Sequence, residues 1–188
     1  AVTIKNLFFK KNKFANVNAE LSLIDGLVTA KRLSVLDIAG ASAAISGRLF
    51  GPKGTKASSI RFNVAVNDSK RLFRLFGGSR PSAVRRVGKF SAKGTFSGDF
   101  EVLKLNTTMN AGGAEAKLRG EFRNLFSEVG FDVRVGLNTS ETGSLARIFE
   151  PNYRPVAGRL GPSALSFRAG GDKRQVSITD IKGNISKT

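Results

Sequence analysis

The chain has 188 residues, 40% of them hydrophobic and 24% charged, a globular composition long enough for one domain with a sizeable core. It contains no cysteine and no histidine, which excludes disulfides, thiolate metal sites and thiol nucleophiles and removes the usual general base and metal ligand of enzymes. Its net charge of +17 favours anionic partners: nucleic acid, anionic lipid head groups or acidic proteins.

The alternating pattern of a strand is already under way at Val2 and Ile4. With no initiator methionine, no basic-then-apolar leader and no cleavage signal at Ala1, the expectation is a piece of a longer protein. The stretch LSLIDGLVTAKRLSVLDIAGASAAISGRL at 21–49 runs strand, Asp-Gly turn, strand, Gly with small residues, strand. AAISGRLF at 43–50 and SIRFNVAVN at 59–67 keep the two-residue period of a half-buried strand. Between them GPKGTK at 51–56 reads as a turn, because Gly51 and Gly54 are too close together for a phosphate loop. The period then becomes helical, with Asp68 or Ser69 as N-cap ahead of Leu72, Phe73, Leu75 and Phe76, and Gly77 as the stop.

A basic strip follows. Segment 70–93 carries Lys70, Arg71, Arg74, Arg80, Arg85, Arg86, Lys89 and Lys93 and no acidic residue. FSAKGTFSGDFEVLKL at 90–105, AEAKLRGEF at 114–122 and VGFDVRVGL at 129–137 alternate again. A second helix is expected after Ser140, through Leu145, Ile148 and Phe149, ended by Pro151. LSFRA at 165–169 and QVSITDI at 175–181 complete the strands. Glycines inside strands, at Gly47, Gly94, Gly98, Gly120, Gly130 and Gly136, imply bulges, bends or strong local curvature.

The chain repeats itself. GASAAISGRLF at 40–50 matches GGAEAKLRGEF at 112–122, with Gly47 aligned to Gly120, an offset of 120 − 47 = 73. SIRFNVAVNDSKRLFRLFG matches the stretch from Val129 to Glu150, in which LFRLF at 72–76 meets LARIF at 145–149 at the same offset. The resulting organisation is one β-repeat region over 1–188: repeat 1 at about 21–78, repeat 2 at about 90–150 and a partial repeat 3 at about 158–188. Adjacent strands with a helix closing each unit imply a mainly β fold. The expected architecture is an antiparallel, strongly curved sheet, or an open β-groove or sandwich built from the tandem repeat, with one short helix per repeat.

Nothing marks an active site. The carboxylates are scattered, with no metal-ligand spacing, no nucleophile motif and no cofactor motif, so the expected role is non-enzymatic, without cofactor or metal. The apolar sides of two strands are the candidate ligand surface: Ile60, Phe62, Val64 and Val66 in the first repeat, Phe131, Val133, Val135 and Leu137 in the second. They either pack on one another as a core or line a groove for a greasy molecule. The eight cations of the basic strip are candidates for an anionic head group or another polyanion.

The 21–49 phrase, with NDSKRLFRLFG at 67–77, resembles the AsmA-like envelope proteins of Gram-negative bacteria. The resemblance runs through most of the chain in two and a half rounds, although Asp-Leu is more usual in that family where Ser69, Lys70 and Arg71 stand here. It implies a periplasmic body attached to the inner membrane by a helix outside this chain. It also implies an open apolar groove along which phospholipid acyl chains travel, in support of outer-membrane assembly. Phospholipid or another anionic lipid is the partner so implied, and no catalytic or individually assignable binding residue comes with the resemblance. Two alternatives stand beside it: a basic β-rich module that binds nucleic acid or another polyanion, and a purely structural β-repeat scaffold.

Overall fold

Strands alternating at period two, joined mostly by tight turns, fold into a single antiparallel meander. In the computed structural model, which describes residues 1–9, 12–25, 27–50, 57–75, 87–99, 101–124, 127–154, 160–172 and 174–187, eleven strands make one sheet. They are β1 (Val2–Phe9), β2 (Asn12–Ile24), β3 (Leu27–Ile38), β4 (Ala41–Phe50), β5 (Ala57–Val66), β6 (Phe90–Gly98), β7 (Val102–Ala111), β8 (Ala114–Arg123), β9 (Gly130–Thr139), β10 (Leu160–Asp172) and β11 (Val176–Lys187). Helix α1 (Ser69–Leu75) follows β5, and α2 (Thr142–Phe149) follows β9. Spatial order equals chain order from β1 to β11, each strand antiparallel to its neighbours.

The mainly β, antiparallel reading matches this sheet, but the strongly curved sheet, groove or sandwich does not. The sheet is open, with β1 and β11 as free edges, and it is neither strongly curled nor closed. For the sandwich the reason is topological: every strand pairs with its sequence neighbours, so no strand crosses over to build a facing layer. Apart from α2 against β10, the main contacts between elements are those of adjacent strands. The accessible surface is 12901 Å², against about 8,700 Å² for a compact monomer of this mass. Among the described residues the buried apolar ones are few: Ala30, Ala41, Ile60, Val66, Ala114 and Val133.

The offset of 73 residues recurs in the elements. β4 begins at Ala41 and β8 at Ala114, β5 at Ala57 and β9 at Gly130, α1 at Ser69 and α2 at Thr142. Turns follow the same spacing. Ala39 and Gly40 have φ of 51° and 84°, Gly112 and Gly113 of 58° and 79°, the two left-handed positions that a tight hairpin matched to the sheet's twist requires. The segment 90–105, whose apolar positions pass from even at Phe90, Ala92 and Phe96 to odd at Leu103 and Leu105, is divided by a turn at Gly98 and Asp99. There the Asp99 N–H donates to the Val102 carbonyl at 3.1 Å, and Asp99 Oδ1 accepts from the Glu101 and Val102 amides at 3.0 and 2.8 Å. Asp172 builds the same turn between β10 and β11, donating to the Gln175 carbonyl at 2.9 Å and accepting from the Arg174 and Gln175 amides at 2.6 and 3.1 Å.

Asp68 caps α1, its Oδ1 accepting from the Arg71 amide at 2.9 Å. The second helix starts two residues beyond Ser140, with Glu141 at the N-cap and no side-chain cap bond. Ser140 loses the role because Thr139 holds the turn instead: its Oγ1 accepts the Glu141 N–H at 3.2 Å. Gly77 and the turn at 51–56 lie outside the described residues.

Gly94 and Gly120 serve close backbone approach between strands. A Cβ at Gly94 would stand 2.3 Å from the Asn106 carbonyl oxygen, and one at Gly120 would stand 2.1 Å from that of Asp132 and 2.6 Å from Val133 Cα. Around Gly136 a Cβ meets nothing within 4 Å. Gly120→Ala is therefore expected to destabilise the fold by about 1–3 kcal/mol, as overpacking does. Gly136→Ala should stay within about 0.5 kcal/mol of the parent. Urea unfolding of both variants checks this, and equal effects would count against the close approach.

Candidate functional site

Cross-strand partners in an antiparallel sheet project to the same side, so the registers decide what each face carries. From β6 to β10 the pairing runs without a shift. Phe131, Val133, Val135 and Leu137 of β9 share a face with Phe122, Gly120, Leu118 and Ala116 of β8, their direct partners. The same face continues through Leu105 and Met109 of β7 and Phe96 and Ala92 of β6. It reaches Ile60, Phe62, Val64 and Val66 of β5. All eight sequence-predicted apolar candidates thus lie on one face of one sheet. Ile60, Val66 and Val133 are buried and the other five half-buried.

These side chains form a broad surface. Because the sheet is not strongly curled, they do not converge on a groove. The strands between β5 and β9 complete the surface, and their alternation at Phe90, Ala92 and Phe96 and at Leu103, Leu105 and Met109 was the signal for it. Ring contacts knit it together: Phe62 and Phe96 have centroids 5.8 Å apart, and Phe122 and Phe131 have centroids 6.4 Å apart. Such pairs add about 0.5–1.5 kcal/mol each beyond area burial. Towards the β11 edge neighbours run out, and Ile178 and Ile185, on this same face, are 55% and 57% exposed. Helix α2 packs at the end of β10, where the Thr142 hydroxyl donates to the Gly161 carbonyl at 2.7 Å.

The opposite face is polar and mostly cationic. Lys104, Lys117, Arg119, Arg123, Arg134 and Arg168 project from β7 to β10 on this side. Acidic partners are few: Glu115 pairs with Lys117 at 3.3 Å and Glu121 with Arg123 at 3.4 Å. Arg168 makes a two-pronged pair with Asp132, Nε donating to Oδ1 at 2.7 Å and a terminal nitrogen to Oδ2. That hydrogen bond, with lesser help from the charges of Arg168, Arg123 and Arg134, holds the Asp132 carboxyl below its ordinary value against some desolvation. Arg168 is raised in turn, first by the same bond.

The described cations of the basic strip lie on α1, just ahead of β6 and on β6. Lys70 and Arg71 are exposed on α1, which also carries Arg74. Lys89 is exposed ahead of β6, and Lys93 projects from the polar face, opposite Asn63 and Thr108. Arg80, Arg85 and Arg86 lie outside the described residues. Sequence reading passed over the arginines of β8, β9 and β10, which are spread along the chain and meet only through register. Among the described residues no group of three or more acidic side chains is placed to hold a metal ion, and no helix is long and apolar enough to cross a membrane.

Compared with known proteins, the chain matches no family model, no curated protein and no solved structure.

The Asp132 pair sets a pH dependence. A carboxyl lowered in the folded state contributes stability above its unfolded value, and that contribution is lost as pH falls through the folded one. Asp132→Asn should therefore be less stable than the parent at neutral pH. The difference should persist down to the ordinary carboxyl value of 3.8 and vanish as acid protonates Asp132 below it. Denaturant unfolding of both proteins as a function of pH measures this, and a difference unchanged through that acid range would sink the assignment.

Proposed function

We propose that the chain is a non-enzymatic repeat segment of an AsmA-like envelope protein. In this reading it lies in the periplasm, attached to the inner membrane by a segment outside this chain, and contributes to phospholipid transport or outer-membrane assembly. The acyl chains are received by the open apolar face rather than by a closed groove.

One observation carries the reading: apolar side chains from β5 to β11 share one face of a single-layer sheet, and among the described residues only the short helices accompany that sheet. A contiguous apolar patch larger than a few hundred Å² is unusual on a soluble monomer and marks a contact surface. An acyl chain laid along the strands exchanges water for hydrocarbon at about 0.8 kcal/mol per methylene. A few strand widths of contact are then sufficient to hold a tail. The resemblance of 21–49 and 67–77 to the AsmA-like repeats supports the lipid assignment.

Mass spectrometry of an organic extract of the purified chain tests it, beside a charge-matched control from the same host. Stoichiometric phospholipid is expected. Ile178→Asp combined with Ile185→Asp, both exposed and on the apolar face, should lower the bound lipid several-fold with an unchanged circular dichroism spectrum. An extract without phospholipid, or lipid unaffected by these substitutions, refutes the reading.

A further inference from the structure

The polar face holds a feature that the acyl-chain reading does not use. Arg119 of β8 stands directly opposite Arg134 of β9, and Arg134 directly opposite Arg168 of β10. Asn106 of β7 extends the row on one side and Thr179 of β11 on the other. Directly opposed side chains in antiparallel strands have Cβ atoms about 4.5–5.5 Å apart, and like charges so placed destabilise a sheet.

Neighbouring acids do not relieve this crowding evenly. Asp132 is committed to Arg168 through two hydrogen bonds. Among the described residues, neither Arg119 nor Arg134 forms an ion pair with a carboxylate. Two open hollows, of about 500 and 600 Å³, meet over the row, and both are lined by Asn106, Arg119, Arg134 and Arg168. Two adjacent unpaired guanidinium groups border a recess wide enough for a tetrahedral anion.

We propose that Arg119 and Arg134 together clamp the phosphate of an anionic phospholipid head group, with Arg168 held beside them by Asp132. Guanidinium forks match phosphate oxygens two at a time, and the bonds are charge-assisted. Several features favour a lipid surface over a small soluble phosphate. The row is solvent-exposed, it lies on an open sheet that is not strongly curled, and Lys104 and Lys182 line the same hollows. Such a face presents several cations at once to a plane of phosphates. The row itself, Asn106 to Thr179, carries no aromatic side chain on which a base could stack. The site is on the opposite face from the acyl-chain surface, so the two assignments stand or fall separately.

The test is co-sedimentation of the full chain with phosphatidylcholine vesicles, with and without phosphatidylglycerol, at physiological salt. Arg119→Gln combined with Arg134→Gln should weaken binding to the phosphatidylglycerol vesicles by about tenfold or more. Lys5→Gln combined with Arg32→Gln removes the same charge from exposed positions elsewhere and should cost no more than about twofold. Arg119→Lys with Arg134→Lys, which keeps the charge but loses the forks, should still lose several-fold. Circular dichroism establishes that each variant is folded.

Equal losses in the two glutamine doubles would reduce the effect to overall charge and overturn the clamp, as would no binding at all. Soluble glycerol phosphate bound as tightly as the vesicles would overturn the lipid source. A DNA oligonucleotide that binds more tightly than the vesicles and depends on the same two arginines would replace the head group with nucleic acid.

Discussion

The two-residue side-chain period, carried without a slip across the hydrogen-bonded pairs from β6 to β10, is the constraint on which the rest of the molecule depends. A one-residue shift in any of these pairings would turn a whole strand over and mix the faces. Because none occurs, apolar side chains collect on one side of the sheet and cations on the other. Register is held at the turns, by the left-handed pairs at 39–40 and 112–113 and by the aspartates that close the turns after Gly98 and Gly171.

A single layer pays for little of its own folding through a conventional core. With six buried apolar residues among those described, cohesion comes largely from neighbours within the sheet. Phe122 meets Phe131 across β8 and β9, Phe62 meets Phe96 across β5 and β6, and backbone ladders join every strand. The backbones of β8 and β9 draw together where Gly120 leaves room. The same economy leaves an apolar face without a second sheet on it, buried or half-buried at β5 and β9 and exposed at Ile178 and Ile185 of β11. A sheet with crossing connections would have covered the face with its own strands.

The polar face obeys a different balance. Across a strand pair, opposite charges add modestly and like charges subtract, and here the register places three arginines in line. One is neutralised by Asp132, while two are left facing the hollows. Lys117 with Glu115 and Arg123 with Glu121 are exposed pairs within a strand, the kind that contributes little to stability. The charge on this face therefore contributes little to holding the sheet together.

The sequence by itself determined the element types, the two-sided character of each strand, a cap for α1 at Asp68 or Ser69 and the absence of thiol and imidazole chemistry. These follow from local properties: side-chain period, capping groups and residue types. It also contained the offset of 73 that reappears in the starts of β4 and β8 and of β5 and β9. Other features were decided only by the tertiary structure. The turn at Gly98 was marked in the sequence only by a change of phase, from even apolar positions at Phe90, Ala92 and Phe96 to odd ones at Leu103 and Leu105, and the strand pairing places it. Glycines suggested strong curvature, yet at Gly94 and Gly120 they serve close strand contact in an open sheet. Arg119, Arg134 and Arg168 are scattered in the chain and become neighbours only through pairing. Openness and register are set by how consecutive strands pair across their turns, which the side-chain period of a single strand does not encode.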